Sequence, residues 1–273
     1  MQEESEASMR KLLVTILFFA AAASASAREL TETIDKTFDV RAGVTFTLDN
    51  VNGRVDVSSW DQPRVRVHAV KTATGWDSDD VKKGLTELRV DIQASPDRIA
   101  VKTVEPEHEF GFFDFLFGHH VNRNVRYEII VPRTTNLDVS TVNGSIHVNS
   151  VSGSLRIETT NGKIEMARCA GSVDASTTNG GIHAELVTVT PGKAMRFETT
   201  NGHITITVPP NIAVEIDAAN TNGSISTDLP VTTKDFEHHT LRGSVNGGGG
   251  LLKLRTTNGG IDIRTSSPSQ ASR

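Results

Sequence analysis

Cysteine is nearly absent from this chain. A single Cys169 among 273 residues leaves no internal disulfide to form, so burial and backbone hydrogen bonding must hold the fold even in an oxidising compartment. That thiol is read as buried and structural. Aromatic residues are also scarce, at 5% with two Trp and one Tyr. Beyond Ala23 no apolar run approaches the ~20 residues that a helical membrane span needs. Positive charge is short as well: 28 Lys and Arg stand against 33 Asp and Glu, a formal net charge of −5, without the basic cluster that phosphates require. A nucleic-acid partner is therefore not expected. The glycines Gly247 to Gly250 are not followed by Lys-Ser/Thr and open no helix, so they make no phosphate loop. No nucleophile motif, spaced zinc set or calcium nonapeptide repeat is present. The chain is read as a non-enzyme, with no catalytic, cofactor-binding or metal-binding residue assigned.

What is present begins with a leader. From Met9 the sequence runs basic (Arg10, Lys11), then apolar (Leu12 to Ala23), then small (Ala25-Ser26-Ala27), the anatomy of a secretory signal peptide. The acidic stretch Met1 to Ser8 is a poor start for such a leader, so Met9 is the expected working start. Residues 1–27 are accordingly expected to be removed and 28–273 to form one exported domain, in the periplasm, cell envelope or outside the cell. No Cys beside the cleavage site offers a lipid anchor, so a lipoprotein is not expected.

A repeat organises the rest. Asn-Gly pairs begin at Asn52, Asn143, Asn161, Asn179, Asn201, Asn222 and Asn258, mostly in the frame Thr-Thr-Asn-Gly-x-Ile, with steps of 18, 18, 22, 21 and 36 residues from Asn143 onward. Six residues before each of these last six Asn stand Leu137, Leu155, Val173, Met195, Ile216 and Leu252, and three after stand Ile146, Ile164, Ile182, Ile204, Ile225 and Ile261. Period-2 alternation on both sides of a turn dipeptide describes strands with one buried face, and the pair is expected to supply the positive φ angles of a tight turn. Five residues before each Asn the chain reads Asp138, Arg156, Asp174, Arg196, Asp217 and Lys253. In an in-register stack every neighbour in that column would then be oppositely charged, which favours the register more than it adds stability. The alternation makes residues 229–250 an insertion bearing an extra edge strand. Two residues before each Asn, in the inward phase, lie Thr141, Thr159, Thr177, Thr199, Asn220 and Thr256. A buried hydroxyl needs a partner, expected in the adjacent turn's backbone or the same residue one rung away.

Residues 28–132 are expected to form N-terminal strands, one short helix near 78–88 capped by the Asp77-Ser78-Asp79-Asp80 segment, and a Phe-rich loop; 133–265 form the repeat stack. Five Phe fall between Glu105 and Asn122: Phe110, Phe112, Phe113, Phe115 and Phe117. They either cover strand edges or form an exposed apolar finger that contacts a membrane surface or a partner. His108, His119 and His120 flank them, and His238-His239 lie in the insertion; adjacent histidines seldom share one metal without other ligands. His147, Glu165 and His183 occupy one outward column on three successive rungs, and are read as a solvated face because the outer two stand ~9–10 Å apart at the usual strand spacing.

The opening FDVRAGVTFTLDNVNGRVDVSSWDQPRVRVHAVK, the TTNGxI rungs and the closing LRGSVNGGGGLLKLRTTNGGIDI together resemble the bacterial "putative adhesin" family of envelope proteins, related to toastrack-type domains of envelope stress proteins. The resemblance implies an all-β, single-domain β-solenoid or stacked sheet and a non-enzymatic role at the envelope. It carries no functional residues across. Three functions follow as expectations: an adhesin-like or scaffold module contacting an envelope protein or polysaccharide, a stress-sensing module that binds a membrane partner through the Phe segment, and a carbohydrate-active β-helix enzyme.

Overall fold

The structure, a computed structural model, describes residues 27–105, 121–189 and 192–266. Among them are twenty strands and one helix, and all the strands belong to one hydrogen-bonded network. The strands lie in two facing sheets. The front sheet runs, in spatial order, Arg89–Ser95, Arg98–Val104, Thr45–Asp49, Asn136–Asn143, Ser152–Asn161, the second half of Ile164–Asn179, Met195–Asn201, Gly250–Asn258, Val214–Asn222, Thr240–Val245 and Thr232–Glu237. The back sheet runs Arg28–Asp39, Arg64–Gly75, Asn122–Pro132, Val55–Trp60, Ile146–Asn149, the first half of Ile164–Asn179, Ile182–Val189, Ile204–Val208, Ile261–Thr265 and Ile225–Thr227. Parallel pairing dominates, as a stack of like-oriented rungs requires. The fold is a β-solenoid with antiparallel strands at its ends.

Each Asn-Gly pair joins a front strand to a back strand. The strand before it pairs with the equivalent strand of the next rung, Leu155 opposite Leu137 and Val173, and the strand after it does the same in the other sheet. The pairs therefore turn corners between sheets. Apolar side chains from both sheets meet inside, where Phe46, Ile157, Phe197, Leu254, Ile146, Ile206 and Ile261 are fully buried in one continuous core.

Expected positive φ angles are found at only three of these glycines, Gly53, Gly223 and Gly259 (126°, 146° and 152°). Close approach is the reason for the rest. A Cβ on Gly162 would overlap the carbonyl oxygen of Gly144 one rung below, and a Cβ on Gly180 that of Gly162. No side chain fits between rungs at this corner.

The inward hydroxyls bond as expected to the adjacent turn. Thr159, Thr177, Thr199 and Thr256 donate to the carbonyls of Gly144, Gly162, Gly180 and Gly202 at 2.8–3.1 Å. Beside them runs a feature the sequence reading missed, a ladder of asparagine side chains. Each amide nitrogen donates to the amide oxygen of the rung before it, from Asn222 to Asn258, Asn201, Asn179, Asn161, Asn143 and Asn52, every step at 2.7–2.8 Å. The ladder ends on the carboxylate of Glu105, which accepts from Asn52 at 2.9 Å.

Rung order departs from chain order at the far end. The rung of Asn258 stacks directly on that of Asn201, and the rung of Asn222 lies outside it. The expected charge alternation holds from Asp138 through Arg196 and then breaks, because Arg196 faces Lys253. Glu198 bridges the two cations, 2.5 Å from Arg196 and 3.7 Å from Lys253. Residues 229–250 do form an insertion, and it carries two strands: Thr240–Val245 pairs antiparallel with the outer edge of Val214–Asn222, and Thr232–Glu237 pairs with it in turn.

At the near end, the helix α1 (Ser78–Glu87) opens on Asp77, whose carboxylate accepts from the backbone N–H of Asp79 and Asp80 at 2.8 and 3.1 Å. Its Val81 and Leu85 pack on Ala73, Leu30 and Val121. Inside, Tyr127, Thr103 and Asn50 form a buried hydrogen-bonded set, and burial pushes the Tyr127 phenol up to about 12.

Candidate functional site

The five phenylalanines Phe110, Phe112, Phe113, Phe115 and Phe117, with His108, His119 and His120, lie outside the described residues. The other expected clusters can be placed. His147, Glu165 and His183 do share one outward column of the back sheet, in register on adjacent rungs, and Asp56 extends it by one rung. His147 stands between two carboxylates, its Nε2 2.7 Å from Glu165 and its Nδ1 3.6 Å from Asp56. Asp56 is itself held by Arg54 at 2.7 Å. No group of three or more metal-ligating side chains is gathered among the described residues. His239, exposed in the turn between Thr232–Glu237 and Thr240–Val245, places its Nδ1 2.9 Å from the Asn220 amide oxygen. Cys169 is buried, and burial pushes its thiol up to about 11, which keeps the nucleophilic thiolate scarce near neutral pH.

Relief appears on the front sheet, where rung order changes. A depression of about 470 Å³ spans the rungs of Asn179, Asn201, Asn258 and Asn222, with Ser176, Glu198, Thr200, Arg255, Thr221 and Ala219 in its lining. Glu198 and Arg255 lie side by side in register at its centre. Neither is loose. Glu198 is fixed by Arg196 and Lys253, while Arg255 donates to the backbone carbonyl of Asp217 at 2.6 Å and to its carboxylate. Burial raises the Asp217 carboxyl, but Arg255 and Arg242 together outweigh it and hold the group below the usual carboxylate range. No sequence motif marks this place. Its trace is the break in two columns: Ala219 where neighbouring rungs carry Ser, Glu or Arg, and Asn220 where they carry Thr.

The Toastrack DUF4097 family model matches residues 45–264. The chain belongs to the Toastrack DUF4097 family. Of the rungs, all seven Asn-Gly corners of this Toastrack chain fall inside the matched range. No curated protein matches it. Solved structures similar to it include a "putative cell adhesion protein" from Clostridium sporogenes, at 12% identity over 88% of this chain and 100% of that one, with a TM-score of 0.43. A "putative adhesin" from Bacteroides fragilis is 11% identical over 86% of this chain and 97% of its own, at a TM-score of 0.32. A "putative adhesin" from Parabacteroides merdae is 9% identical over 86% and 96%, at 0.28. Superposition at these levels carries no residue from those proteins onto this Toastrack chain.

Proposed function

We propose that this protein is a non-enzymatic, exported envelope module of adhesin-like or scaffolding kind, which works by presenting a rigid face to an envelope protein or polysaccharide. The observation that carries the reading is the construction of the front face. Its outward columns are fixed twice per rung, by the parallel backbone ladder and by the Thr and Asn side-chain bonds at the corner, so an extended surface is held in one geometry without a closed pocket. Such a surface binds by complementarity over area and loses little conformational freedom when it does so. Export rests on the leader anatomy of residues 9–27.

A second reading, a sensory module that touches a membrane partner through the Phe segment, draws on one observation. Trp76 is 78% exposed at the end of the Arg64–Gly75 strand, where Thr74 pairs with Asn122, two residues after His120 ends the segment that bears the phenylalanines. Both readings meet one experiment. The purified protein and a variant lacking residues 109–118 are titrated onto isolated cell envelopes and onto purified envelope polysaccharide. Saturable retention of both proteins is the expected result. Failure of the unaltered protein to be retained sinks the contact role, loss confined to the deletion moves it to the Phe segment, and release of new sugar ends reveals an enzyme.

A further inference from the structure

Between the rungs of Asn143 and Asn201 the front face is regular in order and charge, and a concavity straddles the place where that regularity stops. The depression over the last four rungs has a volume within the ~300–1,000 Å³ typical of small-ligand sites. Its chemistry is restrictive. Ser176, Thr200 and Thr221 supply hydroxyls that both donate and accept, Glu198 supplies a carboxylate that only accepts, and Arg255 a guanidinium that only donates. No aromatic or long aliphatic side chain lines it, so an apolar ligand finds no wall. Both charged groups are already neutralised, Glu198 by Arg196 and Lys253 and Arg255 by Asp217, so an ionic ligand finds no uncompensated partner. What remains is a neutral ligand rich in hydroxyls, able to accept from Arg255, donate to Glu198 and exchange bonds in both directions with the hydroxyl row.

We propose that this depression binds a segment of a neutral oligosaccharide, an inference that rests on the contact-module reading above and names its ligand class. The rung repeat of ~4.8 Å places hydroxyls at intervals comparable to the length of one sugar ring, so successive sugars can meet successive rungs. Glu198 and Arg255 are set in place before binding by their own ion pairs, which lowers the ordering cost. Next to its outermost strand Thr240 lies opposite Ala219, and His239 bonds Asn220.

The test is calorimetric titration of the purified protein with cellotetraose, maltotetraose, tetra-N-acetylchitotetraose and mannotetraose, each up to about 10 mM, the range in which weak single-site binding is still measurable. At least one should bind. Ala219→Trp, which fills the depression from an outward position, should weaken that binding about tenfold or more, and Thr221→Val should weaken it less. His183→Ala, on the back sheet, should leave it unchanged. Far-UV spectra and melting temperatures establish that each variant folds, and Thr221→Val with Ser176→Val decides the matter if Ala219→Trp does not. Absence of binding across the panel overturns the proposal, as does binding that ignores both sets of substitutions. Envelope retention that survives Ala219→Trp would sink this inference alone, whereas loss of envelope retention by the unaltered protein sinks the contact role itself.

Discussion

The rungs of Asn143 to Asn201 and those of Asn258 and Asn222 are cut to one template but used differently. In the first group chain order and spatial order coincide, Asp and Arg alternate, and every inward polar residue is Thr. In the second the order is exchanged, Lys253 meets Arg196, and Asn220 replaces Thr. The corner contacts nonetheless continue without a break through both groups, glycine over glycine and amide on amide. The corner is thus the fixed part of the design, and the outward face is the part left free to vary.

The largest effect should come from breaking what the two regions share. Gly180→Ala forces a Cβ onto the Gly162 carbonyl and should destabilise the protein by about 3 kcal/mol, and Gly259→Ala at least as much, since its φ of 152° adds strain. Chemical denaturation midpoints check this; a cost below about 0.5 kcal/mol at either site would refute the corner argument. A smaller effect should separate the regions. Glu198→Gln leaves Arg196 and Lys253 facing each other and should cost about 1 kcal/mol, whereas Glu158→Gln leaves Arg156 with Asp138 and should cost about 0.3 kcal/mol. Because the penalty is like-charge repulsion at the surface, about 1 M salt should remove most of the difference.

The smallest effect concerns acid. Asp35 is held below the usual carboxylate range chiefly by the hydrogen bond from Arg66, and Asp217 sits low because Arg255 and Arg242 outweigh its burial. A carboxyl with a depressed folded-state pKa contributes stability that is complete above its unfolded value of ~3.9 and is lost as pH falls through the folded value. Asp35→Asn and Asp217→Asn should therefore each flatten the acid limb below about pH 4, by under about 1 kcal/mol apiece, with little change in the pH dependence near neutrality. Equal slopes in the variants and the parent would contradict the assignment.

Much of the fold was legible because a repeat states each requirement several times. The apolar columns, the inward Thr bonded to a neighbouring turn and the helix behind Asp77 all follow from alternation and capping. Corner and tight turn, by contrast, have the same local pattern, and only the choice of pairing partner tells them apart; the glycines then serve approach more often than φ. The exchange of the last two rungs was hidden for a related reason: Asp217 and Lys253 are neighbours in either order. Asn50 and Asn220 show how far substitution within a column can be read. At the first and last Asn-Gly rungs the amide bonds a carbonyl as Thr does elsewhere, through its nitrogen to Val125 and Gly259, while its oxygen takes a second bond, from Thr103 at one end and with His239 at the other. A hydroxyl is too short for both. The depression was the least legible feature, since it arises from four rungs whose spatial sequence the chain does not spell out.

The exchanged rungs also set the order in which the molecule can be completed. Ile261–Thr265, last of the described strands along the chain, pairs on both edges, with Ile204–Val208 on one side and Ile225–Thr227 on the other. As the chain emerges from synthesis, the solenoid can wind rung upon rung only as far as Asn201. The unit around Asn222 must then wait, without its inner neighbour, until residues 250–265 arrive to fill the gap. Such non-local closure is slow and comes late. The polar concavity, which needs all four of these rungs, exists only once the whole stack has been delivered.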